Sequence, residues 1–178
     1  MRKYLIFIIL FTFLLAGCRK NDNPRLSGTD TIDNTLYGTG PYYAFGFSIP
    51  TGEKISTIND PLDVITILAD VDINNEIRRI FFDTRNFKES FFLFGEYTDA
   101  TTALLSFENL ISFSNPQWTA SGDTVRSNQI WLFRTSTEKY AKIRVISTVA
   151  EIRNNKPFAE CTFEWVYQPD GTLTFPGK

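Results

Sequence analysis

The stretch that decides the fold is FAECTFEWVYQ, residues 158–168. Ala159, Cys161, Phe163, Trp165 and Tyr167 occupy the odd positions, and Glu160, Thr162 and Glu164 stand between them. A period of two sorts these side chains onto opposite faces of a β-strand, one aromatic and apolar, the other polar. Cys161 is thereby placed on the buried face as a small hydrophobe, and a buried thiol is ordinarily inert.

Segments of similar character recur on the N-terminal side. They are YYAFGFSI (42–49), DVITILADVDI (63–73), EIRRIFFDT (76–84), SFFLFGEYT (90–98), NQIWLFRTS (128–136) and YAKIRVISTVAEI (140–152). Each is rich in aromatic and β-branched residues, and turn formers such as QPDGT and STEK separate them. That combination predicts an all-β domain of antiparallel sheets. In TTALLSFENLISF (101–113), Leu104, Leu105, Phe107, Leu110 and Ile111 could line a helix face or a strand pair. The reading here favours strand or irregular connection.

Ile80-Phe81-Phe82 and Phe91-Phe92-Leu93-Phe94 break the alternation and put large apolar groups on both faces. Two explanations stand. The strands are central and covered on both sides, or one face lines an apolar pocket or partner surface. Phe92 and Phe94 are the candidate residues of such a face.

Composition narrows the chemistry. The 178 residues contain no histidine, so no imidazole serves as base, proton relay or metal ligand. This excludes a Ser-His-Asp triad and any zinc site built on histidine. No nucleophile-base pair stands out, and a non-enzymatic role is expected. No cluster of Lys and Arg exceeds a pair such as Arg78-Arg79, so nucleic acid is not an expected partner.

The N-terminus supplies an address. Arg2 and Lys3 precede an uncharged apolar run, Leu5 to Leu15, that is too short for the roughly 20 residues of a membrane span. Basic start, short apolar stretch and small residues match a secretory signal over 1–17. Leu15-Ala16-Gly17-Cys18 resembles the lipobox of bacterial lipoproteins, which implies a diacylglycerol thioether on Cys18, cleavage before it and acylation of the new amine. Two or more acyl chains hold a protein firmly. Arg19 following the cysteine implies sorting to the outer membrane, with the face left open. Loss of residues 1–17 removes Arg2, Lys3 and the single methionine, leaving 16 basic against 20 acidic residues, a formal charge of −4. Residues 18–40 are polar and rich in turn formers, and are expected to be a flexible tether spanning roughly 25 Å. The folded domain is expected over 41–178.

Other motifs carry less. Asp70-Val71-Asp72-Ile73-Asn74-Asn75-Glu76 has Asn75 and Phe81 where an EF-hand loop needs Gly and Glu, and reads as a polar turn between strands. Gly38-Thr39-Gly40 lacks the strand, glycine and lysine of a phosphate loop.

The blocks TVRSNQIWLFRTSTEKYAKIRVIS (124–147) and CTFEWVYQPDGTLTF (161–175), with YYAFGFSIPTGEKIST (42–57) upstream, resemble the HmuY-like haem-binding outer-membrane lipoproteins of Bacteroidota. The resemblance implies a single HmuY-like domain that binds haem, another porphyrin or a different apolar ligand for uptake, with a TonB-dependent receptor as partner. Members of that family hold haem iron with paired His or paired Met, which this chain lacks after its leader, so no ligand residue carries over. The alternative is an accessory lipoprotein that docks a surface or transport complex without a small ligand.

Overall fold

The computed structural model describes residues 24–36, 45–57, 62–86 and 88–176. Its strands are β1 (Ser27–Asp33), β2 (Phe45–Ser48), β3 (Glu53–Ser56), β4 (Val64–Val71), β5 (Ile77–Asp83), β6 (Phe91–Glu96), β7 (Gln129–Arg134), β8 (Tyr140–Arg153) and β9 (Lys156–Gln168). One helix, α1, covers Ala100–Asn109. The strands form a five-stranded sheet ordered β1-β9-β8-β7-β6 and a four-stranded sheet ordered β3-β2-β4-β5, with antiparallel pairings throughout. The protein is all-β with a single short helix.

The alternation in β9 does what its period requires. Ala159, Cys161, Phe163, Trp165 and Tyr167 face the four-stranded sheet and join Phe47, Ile65, Ile67 and Phe82 in the main core. Phe47 ties the sheets together, its ring centroid 5.4 Å from Phe163 and 5.0 Å from Trp165. Burying one such side chain contributes roughly 1.5–3 kcal/mol. The long β8–β9 hairpin closes through Asn154 and Asn155, whose φ values of 53° and 58° suit the type I′ turn that follows the twist of paired strands.

The opposite face of the five-stranded sheet is also covered. Phe107, Leu110, Ile130, Leu132, Val166 and Phe175 form a second core there, with Phe92, Tyr97, Phe113, Trp118 and Tyr140 packed around it. The molecule is therefore three layers: small sheet, large sheet, and α1 with the C-terminal segment.

Two expectations change. Residues 101–113, read as strand or irregular connection, contain α1. Asp99 caps it, Oδ1 accepting the Thr102 N–H at 2.8 Å, and Ala103, Phe107 and Leu110 fall on one buried stripe at helical spacing. Residues 18–40, read as tether, contain β1, which pairs with β9 from Ser27↔Val166 to Asp33↔Glu160. The ordered domain thus begins well before 41. β1 is held by tertiary contacts: Ile32 is buried, Thr31 and Thr162 share a hydroxyl hydrogen bond of 2.8 Å, and Trp165 Nε1 donates to Asp30 at 3.0 Å. The signal segment 1–17 and Cys18 lie outside the described residues. Among the described residues no helix is long and apolar enough to cross a membrane.

Candidate functional site

The Phe91–Phe94 run lies on β6, an edge strand and not a central one. Phe91 opposes Phe133 and enters the main core, while Phe92 opposes Leu132 and enters the second. Phe92 meets the Trp118 ring edge-on at 6.4 Å. For these two residues, cover on both faces is the explanation that holds.

Phe94 has a different fate. The register with β7 shifts between Leu93 and Gly95, so Leu93 opposes Trp131, Gly95 opposes Ile130, and Phe94 is the extra residue. Such a bulge re-aims a side chain. The place on the second-core face that Phe94 would have taken falls to Gly95, and the Tyr97 ring lies over it. A Cβ at residue 95 would sit 2.7 Å from the Tyr97 hydroxyl, so any larger residue there would have to displace that ring. Phe94 is left 39% exposed. The structure therefore separates the two candidates: Phe92 is packing, and Phe94 faces outward.

Phe94 borders a shallow open groove of about 340 Å³ between β6 and the end of α1. Tyr97, Leu110 and Ile111 supply the rest of its apolar lining, and Ser106, Asn109 and Ser112 supply polar groups. This volume lies at the lower end of small-molecule sites, roughly 300–1,000 Å³. Ile111 is 53% exposed beside it.

The α1 wall of the groove is fixed from beneath by Lys142. This β8 lysine is 3% exposed, and its Nζ donates to the carbonyls of Phe107 at 2.6 Å and Leu110 at 2.9 Å. A cation at the carbonyl end of a helix meets both the orphan acceptors and the negative end of its dipole. The Phe107 and Phe175 rings lie 4.7 Å and 5.5 Å from the same nitrogen. Elsewhere around the second core, Trp118 is stacked on Tyr140 and covered by the Arg134 guanidinium, 4.9 Å from the ring centre. Firm packing lies beneath the groove, and its open side offers Phe94, Tyr97 and Ile111 together with the polar groups of Ser106, Asn109 and Ser112, an arrangement that can hold a ligand by contact.

Tyr97 and Lys142 were not singled out in the sequence, and Leu110 and Ile111 were read there only as part of a helix face or a strand pair. The signal that could have settled that choice is Asp99, an N-cap residue ahead of a helical stripe. Cys161 is fully buried, and burial, with the Glu160 carboxylate adding to it, pushes its thiol up, away from the reactive thiolate. Of the Asp70–Glu76 stretch, Asp70 and Val71 end β4, and the rest is a turn in which Asp72 accepts the main-chain N–H groups of Asn74 and Glu76. No protein-family model and no curated protein matches the chain.

Proposed function

We propose that the chain is a non-enzymatic lipoprotein, held at the outer membrane by lipid on Cys18, whose β domain binds an apolar ligand in the groove between β6 and α1. The observation that carries this reading is the β6 bulge, which keeps Phe94 out of the second core and beside exposed Ile111. Exposed apolar groups lining a concavity are the usual mark of a binding surface. The leader and the Cys18 motif support the membrane address, and the resemblance to HmuY-like lipoproteins suggests haem or another porphyrin as the first ligand to try. Contact would come from the faces of Phe94 and Tyr97, because the chain has no histidine and its one methionine is Met1.

The test is a haemin titration of the purified full chain. A shifted Soret band with saturable quenching of tryptophan emission, lost in a stably folded Phe94→Ser variant, supports the reading. An unchanged Soret band with no quenching of Trp118, Trp131 or Trp165 overturns the tetrapyrrole version.

A second reading draws on exposure beyond the groove. Leu105 is 53% exposed on α1, the helix that forms one wall of the groove. It would widen the groove into a docking surface for a membrane partner such as a TonB-dependent receptor. A partner that co-purifies with the wild-type chain but not with Phe94→Ser favours this reading over the first.

A further inference from the structure

We propose that two copies of this chain pair through the distal half of β8, joining their five-stranded sheets across a two-fold axis at Ala150. β7 pairs with β8 only from Tyr140 to Arg144, and the Asn128 N–H donates to Val145 O at 2.9 Å just beyond. Among the described residues no strand pairs with the outer edge of Ile146–Arg153. The matching stretch of β9 is covered by β1 and then by Asn34.

The direction of the open groups follows from Asn34. Its N–H donates to Ala159 O at 3.0 Å, and its Oδ1 accepts the Ala159 N–H at 2.9 Å. The main-chain groups of Ala159 therefore point away from β8. Ala159 opposes Ala150, so this is a pair whose members exchange no hydrogen bonds, and the N–H and C=O of Ala150 point to the open side. A period of two adds Thr148 and Ile152.

These outward residues are spaced symmetrically about Ala150. In antiparallel self-pairing, Ala150 meets its own copy, and Thr148 meets the second copy's Ile152 in both directions. That arrangement makes about six main-chain hydrogen bonds. Ser147 stands opposite Arg153 and Val149 opposite Glu151, so no like charges oppose, and the residue at the axis is small. Val149 and Ile152 are 36% and 39% exposed. Edges of monomeric sheets are commonly blunted by Lys, Pro, a bulge or a cover. Residues 147–153 contain neither Lys nor Pro, and the β8 bulge falls before them, between Val145 and Ser147.

The test is oxidative cross-linking of the purified full chain in detergent. At the axis, Cα atoms about 5.5 Å apart suit a disulfide. Ala150→Cys should convert most of the protein to a covalent dimer, whereas Val149→Cys, with no cysteine opposite, should yield at least tenfold less. Ala150→Pro removes an outward N–H and spares the β8–β9 bonds, so it should be monomeric and still unfold in one cooperative transition. A wild-type chain that stays monomeric at tens of micromolar, equal cross-linking of both cysteine variants, or a dimeric Ala150→Pro overturns the proposal. A monomer that binds an extended foreign peptide along β8 also overturns it, and assigns the edge to a partner strand.

Discussion

Replacing Lys142 by methionine tests whether α1 is held by its carbonyl end. Methionine fills nearly the same volume and keeps the apolar stem against Phe107 and Phe175, so no cavity opens. What disappears is the donor to Phe107 O and Leu110 O, both sealed from solvent in the wild type. A buried acceptor left without a partner costs roughly 1–3 kcal/mol, so two cost about 2–6. Relief from burying an ammonium group offsets part of that. The net expectation is a loss of about 2–4 kcal/mol, or roughly 4–16 °C in melting temperature for a domain of this size. Urea unfolding followed by tryptophan emission should show the midpoint falling with an unchanged slope, the sign of lost stability in an intact native state. Ligand binding should weaken as well, because Leu110, Ile111 and Ser112 line the groove from the segment that Lys142 anchors. A stability change within about 0.5 kcal/mol would show that the two carbonyls find other partners and that Lys142 does not position the helix.

Phe92→Ser should destabilise by about 2–3 kcal/mol, somewhat below the cost of emptying a fully buried phenylalanine site, while Phe94→Ser should cost less than about 1; equal effects in denaturant titrations would contradict the placement of these two rings. Asp72, Asp99, Asp123 and Asp170 are all held below the ordinary carboxylate value of 3.8, chiefly by the main-chain N–H of Glu76, that of Thr102, the Arg79 guanidinium and the main-chain N–H of Thr172 respectively. With folded values below unfolded ones, their stabilisation is complete above about pH 4 and is lost as pH falls through the folded values; urea midpoints that stay level from pH 7 down to 3 would refute this. Cys161 should react with a thiol reagent only at the rate of unfolding, and rapid native labelling would contradict its burial. Mass spectrometry of the purified N-terminus should find Cys18 first and acylated, whereas a free thiol there would remove the membrane address.

The strands that were legible in the sequence are those that bury a face against a large partner. β9 shows it in a period of two, β7 and β4 in runs of apolar and β-branched side chains, and their bounds fall close to expectation. β1 was not legible because SGTDTID carries one buried apolar side chain, Ile32, and owes its conformation to the ladder with β9 and to Asp30 and Thr31 contacts far along the chain. β3 is short and polar, and depends on Gly52 at φ 67° to turn the chain back onto β2. In α1, Leu104, Leu105, Phe107, Leu110 and Ile111 fitted a helix face or a strand pair equally, and what decides for the helix is the stripe of Ala103, Phe107 and Leu110 behind an aspartate cap. At the candidate site, Phe94 was visible as an excess aromatic. Its separation from Phe92 was not, because a bulge depends on how two strands meet and leaves no period in either one.

A bulge and a short strand explain why the two proposed surfaces lie where they do. Where the five-stranded sheet lies between the small sheet and α1, its side chains are packed on both faces. Open apolar surface can arise only where that cover ends or the pleat is broken. The sheet has two register shifts, one between Leu93 and Gly95 and one between Val145 and Ser147. The first turns Phe94 out of the second core toward the groove. The second falls where β7 stops pairing, and beyond it β8 continues with an open edge that its neighbour no longer follows. The extra residue in β6 is therefore the local cause of Phe94's exposure, and deleting Phe94 should close the groove. The β8 edge is open for a different reason: β7 begins only at Gln129, after Asn128 at φ 67°, and so leaves Ile146–Arg153 without a neighbour on that side.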